Sequence, residues 1–337
     1  MHKIYYNKIM KLICGPMATI SHPAFRILLE QFGGCDEYFT EMINAGTLLV
    51  NGPFEKFYIN PAPAPKKVVW QLTGHETQSM QKAAEILIQL EGIGIDINMG
   101  CSAPDIYKHG SGISWMLKDQ TETQQMVKAV SQTIKSYNQK NNTNKRLSVK
   151  LRLGDEDFTT EKLLNFCDML VEEGVQLLTL HPRTKKEKLI RPPRYEFCQL
   201  LAEQYKKHGI QVYLNGNVKD LQTYKTALQK APDVDGIMIS RAAVQKPWIF
   251  SQIKQNALPP INLEQIALQY IEDIKQYQPQ EFWKTRLQRF FTYYSQNFKF
   301  SHYAQTQFLN AKTPQDLQDR IKDFFQKCPE EKIKIIN

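Results

Sequence analysis

The sequence contains no pair of cysteines with the spacing of a zinc site or of a disulfide framework. Its six cysteines are scattered over 337 residues, and no C-x-x-C occurs among them. Reduced thiols, as found in the cytosol, are therefore the simplest interpretation. The fingerprint G-x-G-x-x-G is also missing, so the sequence does not predict a fold that holds a dinucleotide permanently.

Long apolar runs are missing as well. No stretch reaches the roughly 18 apolar residues that a membrane-spanning helix needs, and the N-terminal segment is interrupted by Lys8 and Lys11. A signal peptide requires an unbroken apolar core, so we expect a cytoplasmic protein. With 43 Lys+Arg against 34 Asp+Glu, the formal net charge is +9. This charge suits a polyanionic partner without requiring one.

Short apolar runs alternate with helical patterns along the first three quarters of the chain. Most runs are continuous, as in parallel strands that are covered on both faces. The eight predicted strands are Lys11–Cys14, Glu37–Thr40, Val68–Leu72, Ile93–Asn98, Leu147–Leu151, Gln176–Leu180, Val212–Asn215 and Gly236–Ser240. Eight strand–helix units favour a (β/α)8 TIM barrel over residues 1–250, although an open doubly wound sheet would show the same periodicity.

Polar groups stand at the carboxyl end of every predicted strand. In chain order they are Gly15-Pro16-Met17, Glu41, Gln71, Asn98 with Cys101, Lys150, His181 with Arg183, Asn215-Gly216 and Ser240-Arg241. The strand ends of a barrel converge on one face, and active sites are built there. The sequence therefore predicts that these residues form one functional face.

A cysteine follows the fourth predicted strand in a loop of small residues. Cys101 shares this loop with Lys108 and His109 and with three glycines, Gly100, Gly110 and Gly112. Two interpretations stay open. The loop is a site of chemistry, where glycines let a ligand approach the backbone, or Cys101 is a buried structural thiol, because free cysteine is among the most buried residue types.

Strand patterns stop after Trp248. Residues 263–327 have the pattern of successive helices separated by Pro279 and Pro314, so we expect a small helical domain over residues 251–337. One predicted helix interleaves basic and aromatic side chains, namely Lys284, Arg286, Arg289 and Lys299 with Trp283, Phe290, Tyr293 and Tyr294. This pattern fits a nucleic-acid groove, but the aromatic stripe fits packing in a core equally well.

The motifs at the strand ends resemble those of the tRNA-dihydrouridine synthases, which are FMN-dependent reductases of uridine in RNA. The resemblance spans residues 12–250 and consists of G-P-M-A-T-I-S-H-P-A-F-R, T-E-M, Q-L-T-G, I-D-I-N-M-G-C, V-K-L-R-L-G, H-P-R-T, N-G-N-V and G-I-M-I-S-R-A-A-V-Q-K-P-W-I-F. Each motif is weak alone, but all of them in this order are specific. The family's fold is a (β/α)8 barrel followed by a small helical RNA-binding domain, which agrees with the pattern of elements.

The resemblance implies a role for each matching residue. The cofactor FMN is expected to contact Pro16, Met17, Gln71, Lys150, His181, Asn215, Gly216, Ser240 and Arg241. Cys101 is implied to be catalytic, delivering a proton to the uracil, and Asn98 is implied to hold the base. We also expect Arg183, Lys284, Arg286 and Arg289 to contact the RNA. A cation such as Lys150 would stabilise the negative charge of a reduced flavin in a water-poor site.

The predicted function is the reduction of a uridine in RNA, above all tRNA, to 5,6-dihydrouridine. NAD(P)H is expected as the transient reductant, and a monomer is expected. One alternative is an FMN barrel oxidoreductase for a small molecule such as a dihydropyrimidine, and another is a barrel that binds RNA and FMN without turnover. The sequence departs from the family's usual pattern at Ser102, Pro182 and Ser240 and over Lys185–Tyr195, where the substrate contacts are therefore not predicted.

Overall fold

The computed structural model describes residues 10–187, 189–255 and 258–336. Most of the N-terminal segment that was interpreted as lacking a signal peptide belongs to residues 1–9, outside these ranges. Within them, no helix combines the length and the apolar character needed to cross a membrane.

Parallel strands close into a barrel. The sheet contains β1 (Lys11–Cys14), β2 (Glu37–Phe39), β3 (Ile43–Asn44), β4 (Val68–Thr73), β5 (Gly94–Met99), β6 (Arg146–Leu151), β7 (Leu177–Leu180), β8 (Gln211–Asn215) and β9 (Gly236–Ile239). Because β1 pairs with both β2 and β9, and β2 also pairs with β4, the sheet has no open edge there. The (β/α)8 barrel is confirmed, and the open sheet is wrong. The two-residue strand β3 was not predicted, since it is too short for a periodic signal.

The interior of the barrel is filled in layers, because alternate side chains of each strand point inward. A middle layer consists of six buried side chains, Ile13, Phe39, Val69, Leu177, Tyr213 and Met238. Nearer the strand starts, the carboxylate of Glu37 accepts hydrogen bonds from Lys11 Nζ at 2.9 Å, Arg146 Nη2 at 2.6 Å and the Tyr213 hydroxyl at 2.8 Å. This ionic cluster closes the end of the barrel opposite the strand ends, where contacts contribute to stability rather than to the active site.

Helices cover the barrel and continue beyond it. They are α1 (Pro23–Glu30), α2 (Ala45–Val50), α3 (Glu55–Tyr58), α4 (Thr77–Leu87), α5 (Pro104–Tyr107), α6 (Ser114–Leu117), α7 (Gln120–Asn141), α8 (Thr160–Glu172), α9 (Glu196–Lys206), α10 (Leu221–Lys230), α11 (Arg241–Gln245), α12 (Ile249–Gln255), α13 (Leu263–Tyr277), α14 (Gln280–Tyr294), α15 (Ser301–Leu309) and α16 (Pro314–Lys327). Capping by side chains explains where several of these helices begin. Asp220 forms a capping box with Thr223 on α10, and Thr313 caps α16 directly before Pro314.

The last four helices form the helical region that the sequence predicted, with breaks at Pro279 and before Pro314. The prediction that strands stop after Trp248 is wrong in one detail, because β10 (Ile261–Asn262) and β11 (Ile333–Lys334) pair antiparallel. On α14, Phe290 and Tyr294 are fully buried. For these two aromatic side chains, packing in the core is therefore the correct interpretation.

A buried ion pair fixes the helical region on the barrel. Arg286 Nη1 on α14 donates to Glu41 Oε1, just past β2, at 2.6 Å, and the two side chains are 2% and 7% exposed. The second oxygen of Glu41 accepts from the backbone N–H of Thr19 at 2.6 Å. The expectation that Arg286 contacts RNA is therefore corrected, since its guanidinium lies in the interior and is held by Glu41.

Candidate active site

A cavity of about 390 Å³ opens where the barrel strands end. Seven of the nine residues assigned to the cofactor line it, and they come from five strand ends: Pro16, Lys150, His181, Asn215, Gly216, Ser240 and Arg241. Residues from α14 and the turn after it, Tyr293 and Gln296, complete the wall. Five of the eight predicted strand ends therefore meet at a single cavity.

The Lys150 ammonium is the central cation of this cavity. Burial above all, and the neighbouring Arg152 after it, lower its pKa to about 8, whereas Asp96 and Cys101 oppose the shift. Within the ranges that the structure describes, the ammonium has no hydrogen bond or ion pair. A partly buried cation that faces a cavity without a protein partner is suited to an anionic ligand.

His181 stands beside Lys150 in neutral form. Burial lowers its pKa far below the usual range, and Lys150, Arg152 and Arg183 act in the same direction. Arg183 Nη1 lies 2.7 Å from His181 Nε2. A guanidinium can only donate, so Nε2 accepts, and Nδ1 carries the hydrogen. Gly216 (φ +127°) lets the next loop approach this ring, since a Cβ there would stand 3.0 Å from His181 Cδ2.

Part of the cavity is suited to a phosphate. Lys219 and Arg241 line it together with the loop residues Gly216 and Asn217. Asn215 does not fill this space, because its Nδ2 donates to the Met238 carbonyl at 2.8 Å. Ser240 stands where the family usually has glycine, but its φ of −118° lies outside the left-handed region that favours glycine. Serine is therefore compatible with the backbone at this position.

Cys101 lies on the loop after β5, next to the end of β6 that carries Lys150. The side-chain carbonyl of Asn98 accepts the backbone N–H groups of Gly100 at 3.2 Å and Cys101 at 3.0 Å. The Cys101 carbonyl accepts from Ile113 at 3.0 Å. Gly112 (φ +61°) makes this close contact possible, since a Cβ there would stand 2.6 Å from the Cys101 carbonyl oxygen. The thiol is partly exposed, unlike a thiol packed in a core.

Other assigned residues lie outside the lining of the cavity. Met17 follows Pro16 and packs partly against the core. Gln71 is fully buried and bonds Asp96 and Asn98. Arg183, expected at the RNA, is 1% exposed and supports His181, so that assignment is corrected in the same way as the one for Arg286.

The two remaining basic residues of α14 occupy different surroundings. The Arg289 guanidinium lies 5.4 Å from the ring centre of Tyr293, which lines the main cavity. Lys284 instead lines a separate cavity of about 320 Å³ between α14 and α16, together with Trp283 and Leu287. The structure brings Arg289 to the rim of the predicted site and leaves Lys284 apart from it.

Two residues that sequence reasoning missed belong to the site. Arg152 Nε donates to the Gly100 carbonyl at 2.8 Å, and Nη1 donates to Thr184 at 3.3 Å, so it ties the Cys101 loop to the loop after β7. The two-residue period of a strand places it on the same side as Lys150, and this signal could have identified it. Tyr293 reaches the cavity through tertiary packing, for which the sequence carries no comparable signal.

Two ion pairs stabilise the segment Lys185–Tyr195. Lys185 pairs with Asp155 at 2.9 Å, and Arg194 pairs with Glu187 at 2.9 Å. Residue 188 lies outside the described ranges. The Arg194 guanidinium also lies 5.1 Å from the ring centre of Phe158. Arg194 is thus engaged within the protein.

Comparisons with known proteins agree with this architecture. A family model described as "Dihydrouridine synthase (Dus)" matches residues 12–331. A "Probable tRNA-dihydrouridine synthase" of Helicobacter pylori is 28% identical over 271 residues, covering 79% of this chain and 77% of that protein. A "tRNA-dihydrouridine synthase B" of Pseudomonas syringae pv. tomato is 28% identical over 78% of this chain and 73% of its own length. A "Probable tRNA-dihydrouridine synthase" of Rickettsia conorii is 30% identical over 72% of this chain and 69% of its own length. This chain belongs to the dihydrouridine synthase family of oxidoreductases.

Proposed function

We propose that this enzyme reduces a uridine of tRNA to 5,6-dihydrouridine, with FMN as bound cofactor and NAD(P)H as transient reductant. The observation that carries the proposal is the cationic cavity at the strand ends, which lies next to a partly exposed cysteine. The family and its relatives support the coarser statement that the reaction is dihydrouridine synthesis.

The residues present fit FMN. The unpartnered Lys150 ammonium would face the polar edge of the ring system, and the neutral His181 would stand beside it. Lys219 and Arg241 would hold the phosphate, together with the Gly216 loop. When bound, the flavin supplies the hydride for the reduction.

The protein itself supplies orientation and a proton. Reduction of uracil adds a hydride at C6 and a proton at C5, so the base needs a donor on the side of C5. We assign this donor to the Cys101 thiol, which the Asn98 carbonyl fixes through the backbone of its loop. Lys150 would stabilise negative charge nearby, because its ammonium lines the cavity and has no partner within the described part of the protein.

Lys150→Ala is expected to weaken FMN binding about tenfold, because a charge-assisted hydrogen bond to a buried ligand is lost. FMN titration of the apoprotein, followed by flavin fluorescence, measures the change. Lys140→Ala, at an exposed position near the end of α7, is the matched control and should bind FMN as tightly as the wild type. A wild-type protein that takes up no FMN would contradict the proposed cofactor.

Arg289→Ala is expected to weaken tRNA binding and to reduce the slope of log K against log salt by about one, since one phosphate contact is lost. Lys284→Ala removes an exposed cation from the same helix but away from the main cavity, and we expect a smaller effect. Filter binding at several salt concentrations compares the two. Equal losses would place the RNA along both faces of α14.

A substrate comparison tests the proposed function directly. The wild-type enzyme is incubated with FMN, NADPH and either an unmodified tRNA transcript or free uridine, and dihydrouridine is measured by mass spectrometry. We expect product only with the transcript. Efficient reduction of free uridine would instead favour the small-molecule oxidoreductase.

A further inference from the structure

A chain of buried hydrogen bonds runs from the barrel interior to the Cys101 loop. It begins at Asp96 on β5, which is fully buried. Asp96 Oδ1 accepts from the Ser148 hydroxyl at 2.7 Å, and Oδ2 accepts from Gln71 Nε2 at 2.8 Å. Gln71 Oε1 then accepts from Asn98 Nδ2 at 2.9 Å. Asn98 Oδ1 accepts the backbone N–H groups of Gly100 and Cys101.

Asp96 at one end of this chain and the backbone N–H groups of Gly100 and Cys101 at the other require the same order of donors and acceptors. An ionised carboxylate can only accept, so Gln71 must turn its NH₂ group toward it. The carbonyl of Gln71 then faces Asn98, which must present its own NH₂ group there. The carbonyl of Asn98 is consequently left for the two backbone N–H groups of the loop. Reversing one amide would place donor against donor at the next contact, at the cost of a buried unsatisfied group.

We propose that Asp96 is a positioning residue, which orients the amides of Gln71 and Asn98 and thereby fixes the backbone that carries Cys101. The inference deepens the proposed function, because it rests on Cys101 as the proton donor. Asp96 does not itself touch the substrate in this account.

The charges around Asp96 are compatible with an ionised carboxylate near neutral pH. Burial raises its pKa to about 6, while the bonds from Gln71 and Ser148 and the nearby Lys150 and Arg146 on β6 oppose the rise. Because the pKa in the folded state lies above that of an unfolded aspartate, folding becomes less favourable as pH rises through this interval. Replacing Asp96 by an uncharged side chain therefore removes this cost at pH 7.5, which offsets part of the loss of its two hydrogen bonds.

The test is Asp96→Leu, studied first by hydrogen exchange of the apoprotein. Leucine offers no acceptor, whereas the carbonyl of an asparagine could still accept from Gln71, so only the leucine removes the bond that orients the Gln71 NH₂ group. We expect the backbone amides of Gly100 and Cys101 to exchange about tenfold faster, and the unfolding midpoint reports separately on global stability. Ser148→Ala is the matched control, since it removes one donor to Asp96 without reversing the chain, and both amides should stay protected. Gln71→Leu interrupts the chain at its next member and should reproduce the faster exchange even if Asp96→Leu folds poorly.

Activity separates this inference from the proposed function. With FMN bound, Asp96→Leu should reduce tRNA uridine about tenfold more slowly, while NAD(P)H reduces the flavin at the wild-type rate. Wild-type protection of both amides in Asp96→Leu and Gln71→Leu would overturn the positioning role, whatever the activity. Faster exchange with unchanged uridine reduction would support the positioning of the loop and contradict Cys101 as the proton donor.

Discussion

Cys101→Ala is expected to lose uridine reduction by about 10²–10⁴-fold, the usual contribution of general acid catalysis. The thiol is the group assigned to protonate C5 of the uracil, and alanine has no proton to give. FMN binding and the reduction of the flavin by NAD(P)H should remain, because the cavity that would hold the flavin does not include Cys101 in its lining. The two half-reactions are separated by stopped-flow absorbance, first with NADPH alone and then with tRNA added to the reduced enzyme.

Two comparisons make this result specific. Cys101→Ser should recover little activity, since an alcohol is a far weaker acid than a thiol. Cys328→Ala changes the other partly exposed cysteine, which follows α16, and should retain wild-type rates. If Cys101→Ala reduces uridine at the wild-type rate, or if it loses the reduction of the flavin instead, Cys101 is a structural thiol.

The location of the site was predictable because of how a barrel is built. Each parallel strand ends on the same face, so single polar residues after apolar runs had to converge, as Lys150, His181 and Asn215 do. Closure was not predictable from periodicity. It depends on the pairing of β1 with β9, whose residues Cys14 and Ile239 lie at opposite ends of the barrel sequence.

Contacts between distant segments limited the prediction of individual roles. Arg286 sits among basic and aromatic residues that suit RNA, yet it pairs with Glu41, 245 positions earlier. Local pattern cannot distinguish a basic residue that faces solvent from one that faces a buried carboxylate. Asp96 shows the same limit, since its partners Gln71 and Ser148 come from two other strands. The local sequence around Asp96 shows only a carboxylate inside an apolar strand and does not identify these partners.

Glu37→Gln is expected to lower the free energy of unfolding by about 3 kcal/mol near neutral pH. Burial by itself would raise the pKa of Glu37, but the hydrogen bonds and charges of Arg146 and Lys11 outweigh it and hold the pKa at about 2. The carboxylate is 2% exposed, so solvent screens these contacts little. A neutral glutamine would leave Arg146 in the barrel without its counterion. An uncompensated buried charge accounts for most of the free energy lost when a buried ion pair is broken.

The pH dependence gives this prediction a second, independent readout. The pKa of Glu37 is lower in the folded protein than in the unfolded chain, so its contribution is complete above about pH 4.5 and disappears as the pH falls toward about 2. Urea unfolding followed by circular dichroism measures the free energy of unfolding of both proteins. The difference between wild type and Glu37→Gln should be constant from about pH 8 to 5 and should become smaller at lower pH. Lys11→Met is the matched control, because the Lys11 side chain is 39% exposed and its loss should cost about 1 kcal/mol or less. Equal effects of the two variants would mean that the cluster acts through the number of its contacts rather than through the buried charge of Glu37 and Arg146.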